Sequence, residues 1–171
     1  MPSGVVHDRI TAVGAAIAVP IWWYVTPLPP DWSTCGALVG GILFAGWMIS
    51  PDLDLNSSIY QRWGPLRFLW YPYQKLVPHR SWISHSWVMS PLLRVAYLLI
   101  LLWLGSWAIL WAIRQSSGLG PGAPQHTPWD LVQDLYRFHP QGTLLAALGL
   151  VVGTALHSGA DTLQTFVKRR L

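Results

Sequence analysis

Leu92 to Ile113 is an apolar run of 22 residues with a single charge, Arg94, near its start. As a helix it would be about 33 Å long at ~1.5 Å per residue, enough to cross the hydrocarbon core of a bilayer. In lipid every backbone N–H and C=O must be satisfied inside the segment, and a lone helix does that. Three more apolar blocks cover residues 10–26, 35–50 and 142–157. Only 11% of the chain is charged, against about 25% for a soluble domain. These features predict an all-α integral membrane protein. The expected fold is a helical bundle of about four spans, with residues 1–171 forming one membrane-embedded domain.

In chain order, the first block contains Pro20, which would bend a helix. Ala16-Ile17-Ala18 resembles a signal-peptide cleavage site. The apolar run continues past it through Trp22, Trp23 and Tyr24, as an interfacial aromatic belt would, so a retained span is the better reading. Prolines 27, 29 and 30 make a tight connection. In the second block, Gly36 and Gly40 have the spacing that suits close helix packing. Residues 55–90 alternate Arg62, Arg67, Lys75 and Arg80 with Trp63, Phe68, Trp70, Tyr71 and Tyr73. That composition predicts a segment lying in the headgroup region, rings down and cations at the phosphates. Arg94 can snorkel out of its span. A short amphipathic helix is expected around Trp129–Phe138, and the fourth span should continue as a helix through Thr162.

Four spans place the N-terminus, the 51–90 connection and the C-terminus on one side. That side carries nine of the eleven basic residues; Arg114 and Arg137 lie on the other. The positive-inside rule makes the nine-residue side cytoplasmic. The net charge of +4 therefore reads as attraction to anionic headgroups rather than to nucleic acid. Membrane lipids, and a larger membrane complex, are the expected partners. One cysteine, Cys35, excludes an internal disulfide and any multi-Cys metal centre.

Four short polar clusters fall on that same side: His7-Asp8, Asp52-Leu53-Asp54, His79 to His85, and His157 to Asp161. The chain has no Glu, and four of its seven Asp lie in these clusters. His157 and Asp161, four apart, share one helix face; a packed polar pair at a helix end is the plain alternative. Asp52 and Asp54 follow Ser50-Pro51, a turn signal in its own right. Two carboxylates beside a bilayer are costly unless a cation or hydrogen bonds meet them. His79 and His85 are six apart and need a bend to converge. Asp8 suits an N-cap for a helix beginning near Arg9.

Imidazole and carboxylate without thiolate suit a divalent ion, Zn first, with Mn or Fe as alternatives. Four His and four Asp leave room for one ion or two, and two-metal sites commonly split phosphoesters. Without Glu, a general base must be an Asp, and Asp54 and Asp161 are the candidates for that catalytic role.

The order His-Asp, Pro-Asp-x-Asp, His-Arg-x-x-Ser-His-Ser and His-x-x-x-Asp resembles a prokaryotic, largely cyanobacterial family of metal-binding membrane proteins of unknown function. That family is similar to the membrane-bound metal-dependent hydrolases. The resemblance runs over nearly the whole chain, including Arg62-Trp63-Gly64-Pro65-Leu66-Arg67 and Tyr73 to Arg80. It implies metal ligands among His7, Asp8, Asp52, Asp54, His79, His85, His157 and Asp161. The His-x-x-x-Asp element is also similar to one in zinc-dependent phospholipases C, whose glutamate ligand has no counterpart here.

Two functions follow as expectations. One is a metal-dependent hydrolase of a phosphoester or lipid headgroup at the cytoplasmic surface of a bacterial inner or thylakoid-type membrane. The other is a non-catalytic membrane protein, or subunit of a complex, in which the metal or the His/Asp network is structural.

Overall fold

The structure, a computed structural model, describes residues 4–27, 29, 31–77, 86, 89–118 and 128–168. Every regular element among them is helical. Helix α1 is Gly4–Val25 and α2 is Trp32–Met48. A 3-10 turn, Pro51–Asp54, follows, then α3 (Ser58–Arg62), a 3-10 stretch (Gly64–Trp70) and α4 (Tyr71–Leu76). The chain continues with α5 (Met89–Ser117), α6 (Pro128–Phe138) and α7 (Pro140–Lys168). Among the described residues, four segments are long and apolar enough to cross a membrane: Gly4–Val25, Trp32–Asp54, Met89–Ser116 and Pro140–Val167.

Helix α2 is the centre. Asp31 caps its start, accepting from the Ser33 amide at 3.0 Å. Its closest neighbour is α7, because both present glycine where they cross. A Cβ at Gly41 would collide with the Ala146 carbonyl oxygen, one at Gly149 with that of Leu38, and one at Gly153 with that of Ile42. Close packing therefore falls to Gly41, Gly149 and Gly153, and not to the Gly36/Gly40 pair that spacing suggested. Those two have open space around them. Helix α1 lies against both, placing Ala15 and Trp22 with Cys35, Leu38 and Ile42 in one apolar cluster.

Helix α5 is different. None of its most apolar window is buried, and Leu99, Ile100, Leu102, Leu104 and Trp111 all face outward. Only its first turns reach the interior, through Ser90, Pro91 and Arg94.

The 51–77 connection departs from the expected flat, interfacial segment. Trp70, Tyr73, Ile59, Leu53 and Val77 turn inward and build a second core with Ala45 and Ile49 of α2. Trp63, Trp70, Tyr73 and Tyr97 meet in this core in edge-to-face and tilted pairs at centroid distances of 5.1–5.8 Å. The Phe68 and Tyr71 rings face outward. The amphipathic α6 and the long α7 match the sequence pattern, with α7 running on to Lys168.

Candidate metal centre

Three elements converge at one end of the α1–α2–α7 group. Helix α1 supplies His7, in its first turn. Helix α7 supplies His157 and Asp161, one turn apart. The Pro51–Asp54 turn supplies Asp52. That turn is well held: the Leu53 side chain is fully buried, and Gln74 donates to the Leu53 and Leu55 carbonyls at 3.0 and 3.2 Å.

The His7 and His157 rings stack, with centroids 3.7 Å apart and planes 15° apart. His7 Nε2 lies 3.3 Å from Asp161 Oδ1. His157 Nε2 lies 3.6 Å from Asp161 Oδ2 and 3.5 Å from Asp52 Oδ2. One ligand atom each from His7, Asp52 and His157 fall within 4.8 Å of one another. Both imidazoles are at most 2% exposed. Yet their four ring nitrogens and both Asp161 oxygens have no hydrogen-bond partner among the described residues. Buried polar atoms in that state are costly.

These observations fit a metal. Two ligands bound at ~2.0–2.2 Å in tetrahedral geometry stand about 3.4 Å from each other. The donor separations of 3.3, 3.5 and 3.6 Å match that edge. A cation among the donors would satisfy the atoms that hydrogen bonds leave unmet. Nitrogen and oxygen donors without thiolate suit Zn, Mn or Fe.

The other candidates lie elsewhere. Asp8 is inside α1, so it does not cap the helix. Its carboxylate turns away from His7 and pairs with both terminal nitrogens of Arg62. Asp54 is buried, near Arg94 and Tyr73. Burial pushes the Tyr73 phenol above its usual range, Arg94 opposes that, and Asp54 adds to it. His79 and His85 lie outside the described residues.

Sequence reasoning missed Arg94. It does not snorkel: it is fully buried, donates to the Ile49 carbonyl at 3.1 Å, and bonds Ser90 Oγ one turn earlier. Ile49 caps the end of α2, immediately before the turn that carries Asp52. Arg94 therefore ties α5 to the backbone that positions a donor. The available signal was its Ser90 neighbour at i−4, which gives a guanidinium an inward partner.

A family model described as "Uncharacterized metal-binding protein (DUF2227)" matches residues 2–171. A protein of Aquifex aeolicus, described as an uncharacterized protein, is 31% identical over 130 residues, covering 75% of this chain and 90% of its own length. No solved structure matches the chain.

Proposed function

The chain belongs to this family of uncharacterized metal-binding proteins, and we propose that it is a membrane protein that holds a divalent ion at the cytoplasmic ends of its helices and acts there as a metal-dependent hydrolase. Its substrate class would be a phosphoester or a lipid headgroup. The observation that carries the reading is that one donor atom each from His7, Asp52 and His157 lie within 4.8 Å of one another, around two buried imidazoles whose nitrogens have no hydrogen-bond partner among the described residues. His7, His157 and Asp52 would hold the ion, and two His with one carboxylate is a donor set that leaves a fourth position open in catalytic sites. A bound divalent ion would supply Lewis-acid polarisation of a phosphoryl oxygen. Asp161 is the better of the two candidate bases. Its oxygens sit against both imidazoles without hydrogen bonds among the described residues, whereas Asp54 lies within the electrostatic reach of Arg94. The nine basic residues expected on this side support a cytoplasmic orientation.

One observation favours the second reading, a structural ion. The imidazoles are nearly fully buried, and the donors come from α1, α7 and the turn after α2. With Asp161 as a fourth ligand the site would be closed, as structural sites are.

The test pairs metal analysis with turnover. Purified wild type should carry a divalent ion that His157→Ala loses. Asp161→Asn should keep the ion and lose turnover on a phosphoester panel by ~10²-fold or more. Wild type with bound ion, no turnover on any phosphoester, and a large fall in melting temperature on chelation would overturn the hydrolase reading in favour of the structural one.

A further inference from the structure

The face of α1 turned away from His7 borders a groove of about 510 Å³. Leu43, Phe44, Trp47 and Met48 of α2 form its apolar wall, and Asp8 and Arg62 are its charged lining among the described residues. The wall is held in place, because the Trp47 indole N–H donates to the Asp8 backbone carbonyl at 3.3 Å. Arg62 bonds both Asp8 oxygens, one of them at 2.9 Å, and the Trp47 carbonyl at 3.1 Å. Those three bonds use three of the five guanidinium donors. The Arg62 side chain remains 33% exposed and Asp8 28%.

A groove with a long apolar wall and one ion pair is shaped for an amphiphile with one polar end. The guanidinium fork matches a phosphate, and the neighbouring carboxylate matches an ammonium. On the reading that α2 crosses a membrane, residues 43–48 are its last turns before the polar 51–77 connection. That is the depth at which acyl chains meet headgroups. A packing helix would be a poorer occupant, since it would set an apolar face against the charged pair.

We propose that this groove binds one phospholipid, with an acyl chain along Leu43, Phe44, Trp47 and Met48 and the headgroup phosphate on Arg62. A zwitterionic headgroup bearing a primary ammonium fits the Arg62–Asp8 pair best. The proposal rests on the membrane part of the proposed function and is independent of the metal.

The test uses the full chain, extracted in mild detergent and washed free of bulk lipid. Native mass spectrometry should find one phospholipid per chain on the wild type. Leu43→Trp, which fills the groove, and Arg62→Gln, which removes the fork, should each cut that occupancy at least tenfold. Leu102→Trp, on the outward face of α5, should not. Should Leu43→Trp fail to fold, Phe44→Ser at an exposed wall position gives the same readout. Millimolar inorganic phosphate or glycerophosphate should not displace the lipid; displacement would overturn the acyl-chain assignment. A photoreactive residue at position 44 should add the mass of a phospholipid. Crosslinking instead to this chain or to a second copy would overturn the proposal, as would equal lipid retention in Leu43→Trp and wild type. Alkaline carbonate washing separates the two readings. Release of the wild type from membranes would sink the membrane reading itself. Retention in the membrane without bound lipid would sink only the groove.

Discussion

Arg94 is the one charge in the apolar run from Leu92 to Ile113, and it is fully buried. Its partners explain how a cation is tolerated there: the Ile49 carbonyl and the Ser90 hydroxyl accept from it, and Tyr73, Asp54 and Asp52 lie near it. Removing one member of a buried charged network leaves the others uncompensated, at a cost of about 3–5 kcal/mol. Arg94→Met should therefore lower the melting temperature sharply. It should also reduce metal occupancy, because the Ile49–Asp52 backbone loses its tether. Asp8→Asn is the contrasting change. It breaks a partly exposed ion pair worth about 1 kcal/mol or less and touches no donor of the cluster. Metal content by elemental analysis should be unchanged in Asp8→Asn and reduced in Arg94→Met. The opposite pattern would mean that Asp8 is the ligand and that Arg94 does not position Asp52.

At the scale of elements, the crossing of α2 and α7 sets the geometry of the site. Glycines at 41, 149 and 153 let the two backbones touch, and the same α7 face carries His157 one turn beyond Gly153. A methyl group at Gly149 meets the Leu38 carbonyl and must push the helices apart. Gly149→Ala should destabilise by about 1–3 kcal/mol, the usual scale of overpacking. It should also lower metal affinity, since α7 would move relative to α1 and the Asp52 turn. Gly36→Ala and Gly40→Ala face open space and should be neutral, or stabilising by about 0.5–1 kcal/mol from helix propensity. Thermal melting in one detergent, with all three variants side by side, checks the contrast. Equal losses at Gly40 and Gly149 would refute the packing account.

At the scale of the molecule, the candidate donors tie the first helix, the turn after the second and the last helix to one point. A bound ion links segments 150 residues apart in sequence, His7 and His157, so occupancy should report on global stability. At a free ion concentration a hundredfold above its dissociation constant, the stabilisation is about 2.7 kcal/mol. A chelator should lower the melting temperature of wild type by that equivalent and leave His7→Ala/His157→Ala nearly unmoved. A wild type indifferent to chelator would argue against an ion in the cluster. Orientation is tested separately. A reporter within residues 118–126 should be external and one after Leu171 cytoplasmic, as the charge distribution predicts. Reporters on the same side would exclude four spans.

The amino-acid pattern alone was enough for the four long helices, because apolar runs of this length have few other solutions. The same holds for the His157–Asp161 pair, because residues four apart on a helix share a face. It also supplied the donor types, through the absence of Glu and the single Cys. Which donors meet was decided by tertiary structure. His7 and Asp8 are consecutive, and on a helix of 3.6 residues per turn their side chains diverge by ~100°. Once α1 packs on α7, His7 joins His157 and Asp8 is left to Arg62. Asp52 reaches His157 while Asp54 is buried near Tyr73 and Arg94, and on a 3-10 turn of three residues per turn a two-residue step is not a return to the same face. The alternation of charges and rings in 51–77 read as an interfacial segment, since composition does not say which rings turn inward. Trp70 and Tyr73 turn in because α2 and the start of α5 leave an apolar space that those rings fill together with Leu53, Ile59 and Val77, and that same packing buries Arg94.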